Sequence, residues 1–192
     1  MSSTTVGTTG TGDSRRAHRG SGHYVIDAAR TRVEVGVRLA GLPVWGAFDT
    51  LQGAFEIPAD LTVASARLRV VAGSLSCGSR RRNRLAAAVL DVETHAAIDF
   101  EAERMEPILE SFVTHDGDRP LWALVGTLTV RGIARPVRIA VGVVRPTADG
   151  SAVEFTGTTI VRCSEFGLGR GGGLIGDIVR VRINAVAERD SA

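Results

Sequence analysis

Two extended segments meet at a tight corner within residues 126–137, and this corner constrains the fold more than any other stretch of the chain. Leu128 and Val130 alternate with polar residues, which is typical of a half-buried β-strand. Gly132 then ends the strand, and a second alternating run begins at Val137. The pattern therefore predicts two strands joined by a tight turn.

The same alternation recurs along most of the chain. Strands are predicted at 24–27, 33–39, 45–55, 66–70, 99–105, 108–113, 121–130, 137–144, 153–161 and 178–187. Only residues 80–90 have the Arg, Ala and Leu content that favours an α-helix. Eight or so strands at short spacing, with one helical interruption, predict a closed antiparallel barrel or a sandwich, and we favour the barrel.

The 192 residues are predicted to form one domain behind a short tail. Residues 1–22 are rich in Ser, Thr and Gly and are predicted to be disordered because they have almost nothing to bury. Residues 23–189 are expected to form a single β-barrel domain. No apolar run approaches the roughly 18 residues of a transmembrane segment. Arg15-Arg16 is followed by polar residues where an export signal needs an apolar run, so a cytoplasmic location is expected.

Composition and residue spacing argue against several kinds of site. The net charge is only +2, and the densest basic patch, at 80–84, lacks the interleaved aromatic residues of nucleic-acid-binding surfaces, so no nucleic acid partner is predicted. That patch is interpreted as a solvated helix face, with pairing to a diphosphate as the alternative. The four histidines lack metal-ligand spacing. Cys77 and Cys163 are predicted to be free thiols.

The Gly-rich stretch 167–176 matches the G-x-G-x-x-G pattern twice. A dinucleotide site needs that turn to lead into a helix, whereas residues 178–183 alternate as a strand. We therefore interpret the stretch as a flexible loop over the barrel mouth, and no cofactor is predicted. No G-x-S-x-G elbow is present, and nothing in the sequence calls for nucleophilic catalysis.

Several motifs occur in the order found in a known family. The corner resembles G-x-L-T-i-x-G-v-x-x-P-V, and residues 24–27 resemble an opening Y-x-I-D. The ending R-x-d-F-G then v-G-d-x-V is matched by Arg162, Glu165, Phe166, Gly167, Gly176, Asp177 and Val179. Together these motifs resemble the YceI-like family of polyisoprenoid-binding, lipocalin-like barrels. The chain departs from the family's R-D-x-H-L, where Arg82 and Arg84 replace Asp and His.

The resemblance implies an all-β, lipocalin-like antiparallel barrel of about eight strands with one short helix insertion. It also implies binding, storage or transport of a long-chain apolar ligand, an isoprenoid quinone or a polyprenyl diphosphate, without catalysis. Because the family often forms dimers, it implies a homodimer as well.

The ligand-binding candidates follow from the alternation and from the resemblance. Apolar positions expected to line the barrel are Val33, Val35, Val37, Leu39, Phe48, Trp122, Leu124, Leu128, Ile139, Val141, Phe155 and Val181. An eight-stranded barrel either fills with side chains or holds one small ligand. Arg38, Arg84 and Arg162 are the candidates for contacts with a ligand head group.

Two other functions stay open at this point. One is a protein-interaction module with a filled barrel, which a large exposed apolar patch would favour. The other is a small-molecule enzyme with its site at the barrel mouth. It would be favoured if a carboxylate such as Glu34 or Asp177 were buried with a raised pKa.

Overall fold

The computed structural model describes residues 22–57, 65–108, 122–147, 151–168 and 175–190. Its strands are β1 (Gly22–Ile26), β2 (Arg32–Leu39), β3 (Leu42–Phe48), β4 (Leu51–Ile57), β5 (Ala66–Val71), β6 (Leu75–Ser76), β7 (Ala97–Pro107), β8 (Trp122–Val130), β9 (Ile133–Pro146), β10 (Ala152–Arg162) and β11 (Ile178–Arg189). Helix α1 spans Arg80–Leu90, and short 3₁₀ helices occupy Ala72–Ser74 and Cys163–Phe166.

Eight of these strands close into an antiparallel barrel. The ring runs β1-β4-β5-β7-β8-β9-β10-β11 and returns to β1. At one end of β11, residues 180–184 pair with β2, from which β3 and β6 extend the sheet, whereas residues 187–189 pair with β1 at the other end. The predicted all-β barrel of about eight strands with one helix is therefore confirmed.

The tight corner predicted between β8 and β9 is a two-residue hairpin turn, in which Val130 pairs with Ile133. Arg131 and Gly132 have φ values of 51° and 71°, as in the type I′ turns that suit the twist of antiparallel strands. β9 begins at Ile133, earlier than predicted, and continues through Pro136. Proline is tolerated there because the pair Thr127–Pro136 occupies a position whose N–H would point away from β8. The paired residues of β9 facing β10 begin only at Ala140.

Helix α1 begins and ends at the predicted residues. Ser79 precedes it in an extended conformation, and its side-chain oxygen accepts a hydrogen bond from the Arg82 N–H, which satisfies a free donor of the first turn. Asp91 ends the helix in the left-handed conformation with φ 50°. The last helical residue, Leu90, is buried.

The single bent strand predicted at 45–55 is instead two strands, β3 and β4. The chain breaks between them because Ser74 holds the two intervening residues. The Ser74 carbonyl accepts the Asp49 N–H at 3.3 Å, and the Ser74 hydroxyl oxygen accepts the Thr50 N–H at 3.1 Å.

Some predictions fall wholly or partly outside the described residues. They concern the tail up to residue 21, most of the strand at 108–113, and the centre of the Gly-rich loop at 169–174. Gly22, placed in the tail by the sequence, is the first residue of β1 and pairs with Ile57. Within the described part of the chain, α1 is too short and too polar to cross a membrane.

Candidate functional site

Two apolar cavities lie among the described residues of the barrel, one toward each end. The large cavity has a volume of about 230 Å³ and lies at the end formed by β2, β3, β6 and α1. The small cavity has a volume of about 100 Å³ and lies at the end formed by β1 and β4. Leu68, Phe100, Ile139 and Ile183 line both cavities.

Helix α1 forms part of the wall of the large cavity. Arg82, Leu85, Ala86 and Val89 line it, and their spacing of three and four residues places them on one face of the helix. Leu85 lines the cavity while 40 % of its surface stays exposed. The cavity therefore reaches solvent beside α1, and we call this opening the mouth.

The wall of the large cavity is almost entirely hydrocarbon. Of the described residues that line it, Arg82 is the only charged one, and Cys77, Thr159 and Cys163 are the other polar ones. The Thr159 hydroxyl donates a 2.7 Å hydrogen bond to the Arg138 carbonyl, so the barrel wall already satisfies it. The cavity thus suits an apolar chain, with one cation at its mouth.

Both cysteines are free thiols, as predicted, and both line the large cavity. Burial raises the pKa of the Cys77 thiol, and the Arg82 guanidinium opposes that shift. Burial also raises the pKa of Cys163, and the negative charge of Asp177 adds to the effect. Both thiols are therefore held toward their neutral forms.

Positive charge is concentrated beside the mouth. Within the described residues, Arg80, Arg81, Arg82 and Arg84 have no carboxylate within ion-pair distance, and the first turn of α1 contains no acidic residue. On the barrel wall, by contrast, the Arg69 guanidinium lies 2.6 Å from the Asp99 carboxylate. The N-terminus of a helix adds partial positive charge of its own. This surface therefore favours an anionic group.

The structure divides the predicted lining residues between the two cavities. Those on the large cavity are Val33, Val35, Val37, Leu39, Phe48, Leu128, Ile139 and Val181. Those on the small cavity are Leu124, Ile139, Val141 and Phe155. Trp122 lines neither; it is half-buried at the start of β8, opposite Val141.

The three predicted head-group arginines are not brought to either cavity. Arg38, Arg84 and Arg162 are exposed and absent from both linings. Alternation explains two of them, since the neighbours of Arg38 and Arg162 along the strand face the cavity. The Arg38 Nη1 donates to the Gly41 carbonyl at 2.9 Å, and Arg162 lies 3.9 Å from Asp177.

Sequence reasoning missed the contribution of α1 to the cavity wall. The sequence placed Arg82 in the basic patch at 80–84, with pairing to a diphosphate as the alternative, but did not place it in the cavity wall. Its spacing to Leu85, Ala86 and Val89 indicates one helix face. Phe100 was also missed, although it follows Ile98 at the period of an inward-facing strand and both line the large cavity.

Neither of the two carboxylates considered for an enzyme, Asp177 and Glu34, has a buried side chain. The Ser164 backbone N–H donates to the Asp177 carboxylate at 2.7 Å and lowers its pKa, and Arg162 adds to the effect. Glu34 accepts a 2.8 Å hydrogen bond from Arg32, and its side chain is 28 % exposed. The described residues contain no group of three His, Cys, Asp or Glu that would hold a metal ion.

A family model and several solved structures resemble this barrel. The model of the YceI-like domain matches residues 24–187. BcnA of Burkholderia cenocepacia is 20 % identical with a TM-score of 0.68, over 84 % of this chain and 98 % of BcnA. A polyisoprenoid binding domain from Saccharophagus degradans, implicated in plant cell wall breakdown, is 14 % identical with a TM-score of 0.64, over 87 % and 98 %. The YceI protein of Campylobacter jejuni is 14 % identical with a TM-score of 0.61, over 76 % and 85 %.

Among curated proteins, none matches the chain. At these identities the solved structures establish the fold alone, whereas the family model covers nearly all of the described barrel.

Proposed function

We propose that this chain, which belongs to the YceI-like family, binds an isoprenoid chain with an anionic head group inside its barrel, for storage or transport and without catalysis. The observation that carries the proposal is the wall of the large cavity, which is hydrocarbon except for Arg82 at the mouth and three uncharged polar side chains.

The apolar wall selects for an apolar tail. Each methylene that leaves water contributes about 0.8 kcal/mol to binding. Away from the mouth, a hydroxyl or amide on the tail would find only the weakly hydrogen-bonding thiols of Cys77 and Cys163 free among the described wall residues. Burying such a group without a good hydrogen bond costs about 1–3 kcal/mol. The S. degradans neighbour is a polyisoprenoid binding domain, which supports an isoprenoid tail here.

The charge at the mouth favours a diphosphate head over a quinone. A guanidinium presents donors in a fork that matches phosphate oxygens, and Arg82 has no described carboxylate competing for it. Arg80, Arg81 and Arg84 add charge on the same helix. A neutral quinone ring would gain little from this concentration of charge, so we assign the ligand to the polyprenyl diphosphate type.

The homodimer implied by the family resemblance belongs to the same proposal. The alternative of an interaction module with a filled barrel is disfavoured, because the barrel holds cavities of about 230 and 100 Å³.

Calorimetric titration with geranyl diphosphate and with geraniol tests both parts of the proposal. The two probes share one tail and differ in charge. We expect the diphosphate to bind more tightly, and Arg82→Ala to weaken it by about ten- to a hundredfold, the worth of a hydrogen bond to a charged group. Arg84 is exposed, as Arg82 is, but it does not line the cavity. Arg84→Ala removes the same charge and is expected to change affinity by less than about threefold, as for exposed ion pairs.

The possible failures are distinct. If neither probe binds, the proposal of an apolar-ligand carrier is wrong. If both probes bind equally and Arg82→Ala does not change the affinity, the proposal of an apolar-ligand carrier is supported, but the proposal of an anionic head group is wrong.

A further inference from the structure

We propose that Leu68, Phe100, Ile139 and Ile183, which we call the dividing layer, set the length of the chain that the barrel accepts. This inference rests on the proposed function and specifies its ligand: a tail of about ten carbons fills the large cavity, and a longer one has to displace the layer. A cavity of about 230 Å³ has room for a tail of roughly that length.

The dividing layer separates the two cavities because its four side chains form walls of both. Phe100, Ile139 and Ile183 are buried members of one hydrophobic cluster, and Leu68 packs against that cluster. The four side chains therefore belong to one packed core that lies between the two cavities.

Two sides of the barrel contribute to the layer. Leu68 and Phe100 face each other directly across β5 and β7. Ile139 of β9 and Ile183 of β11 both flank Gly157 of β10. A Cβ at Gly157 would lie 3.2 Å from the Ile139 Cγ2 and 3.5 Å from the Ile183 Cβ. The glycine thus leaves room for the two isoleucines to approach each other above the strand between them.

The cavity volumes give the length limit. An engineered protein cavity of about 150 Å³ holds one benzene molecule, so the large cavity of about 230 Å³ corresponds to about nine carbons. On the same scale the small cavity, of about 100 Å³, would add about four carbons. A geranyl tail, with ten carbons, therefore fits within the large cavity, whereas a farnesyl tail, with fifteen, has to extend past the dividing layer.

Isothermal titration of the full chain with dimethylallyl, geranyl, farnesyl and geranylgeranyl diphosphates tests this inference. Each additional methylene that is buried strengthens binding about fourfold. We expect affinity to rise steeply from five to ten carbons and then to change by less than about fourfold per added prenyl unit, as for at most one further buried methylene.

Variants of the dividing layer should change the tail length beyond which affinity stops rising steeply. Leu68→Ala joins the two cavities and is expected to strengthen farnesyl diphosphate binding at least about tenfold relative to geranyl diphosphate, the gain from two or more further buried methylenes. Ile183→Val opens the layer less and is expected to give a smaller shift in the same direction. Leu42→Ala and Ile160→Val make the same substitutions at residues 69 % and 63 % exposed and should leave the series unchanged.

Circular dichroism establishes that each variant is folded, and Ile183→Val serves as the layer variant if Leu68→Ala does not fold. Affinity that keeps rising by the same factor through fifteen and twenty carbons would overturn the length limit alone. An unshifted series in folded layer variants would do the same. Failure of all four diphosphates to bind would overturn the proposed function and the length limit together.

Discussion

The Cys77 thiol and the Arg82 guanidinium line the same cavity, and Arg82 acts electrostatically on the thiol. Burial raises the pKa of Cys77, and the positive charge of Arg82 opposes that rise. A hydrogen bond also connects Cys77 to α1, since the Asn83 side-chain oxygen accepts the Cys77 N–H at 2.7 Å. Cys77 is thus a built-in chemical reporter on the charge at the mouth.

Alkylation of Cys77 should therefore slow when Arg82 is replaced. The thiolate is the reactive form, and loss of the opposing positive charge in Arg82→Ala raises the Cys77 pKa further, so less thiolate is present at pH 8. Rates of iodoacetamide labelling, followed by mass spectrometry, measure the effect. Cys163, which is buried, should react more slowly than Cys77 in both proteins.

Arg84→Ala is the matched control for this labelling experiment. Burial and Arg82 shift the pKa of Cys77, whereas Arg84 does not contribute to that shift. Equal slowing in both variants would contradict the assignment of Arg82 to the mouth. Bound geranyl diphosphate should protect Cys77 from labelling in the parent protein.

Gly126 should be irreplaceable because β7 passes too close to it. A Cβ at this position would overlap the Glu101 carbonyl oxygen and lie 2.6 Å from the Ala102 Cα. These are backbone atoms beside the bulge of β7, so they have little freedom to move. Gly126→Ala is expected to lower the free energy of unfolding by about 3 kcal/mol, measured by urea denaturation.

Gly73→Ala provides the comparison for Gly126→Ala, since its Cβ would meet nothing closer than the Val92 Cβ at 4.0 Å. It is expected to leave stability unchanged or to raise it by about 0.4–1 kcal/mol. Equal losses in the two variants would show that close approach is not the reason for glycine at 126.

The parts of the fold that depend on local pattern were predictable from the sequence. The limits of α1, the turn at Arg131 and Gly132, and most strands follow from periodicity and turn chemistry. The break between β3 and β4 was missed because it depends on hydrogen bonds to Ser74. This residue lies more than 20 residues further along the chain, so the local pattern around residues 45–55 contains no sign of it.

The cavity wall was only partly predictable. Alternation identified inward residues of single strands, and the same alternation should have placed Arg38 outward, since Val37 and Leu39 were both assigned inward. Whether the interior is filled depends on how side chains from distant strands meet. The contact of Leu68 with the cluster that holds Ile139 and Ile183 has no trace in any local pattern.

Asp177 should make stability depend on pH. Its carboxylate accepts the Ser164 N–H, which lowers its pKa below the ordinary value of 3.8. The stabilisation is therefore fully present above that ordinary value and is lost as the pH falls through the lower folded-state pKa. Asp177→Asn is expected to lower the urea midpoint at pH 7, with the difference from the parent shrinking in the acid range.

Asp190→Asn serves as the control for this pH series, because Asp190 is an exposed carboxylate 3.4 Å from His23, a kind of pair that contributes little. A difference between the parent and Asp177→Asn that stays constant from pH 7 into acid would contradict the assigned cause.

Ser79 should control how firmly the first turns of α1 are held beside the mouth. Its side-chain oxygen accepts the Arg82 N–H at 3.3 Å, and Arg82 and Leu85 both lie within the following two turns. Ser79→Ala is expected to cost about 1 kcal/mol and to reduce amide-exchange protection across residues 80–86 more than in the barrel strands. Ser79→Asp restores an oxygen acceptor at the same position and should keep that protection. Equal protection in all three proteins would mean that packing against the barrel, and not the cap, holds the first turns of α1 at the mouth.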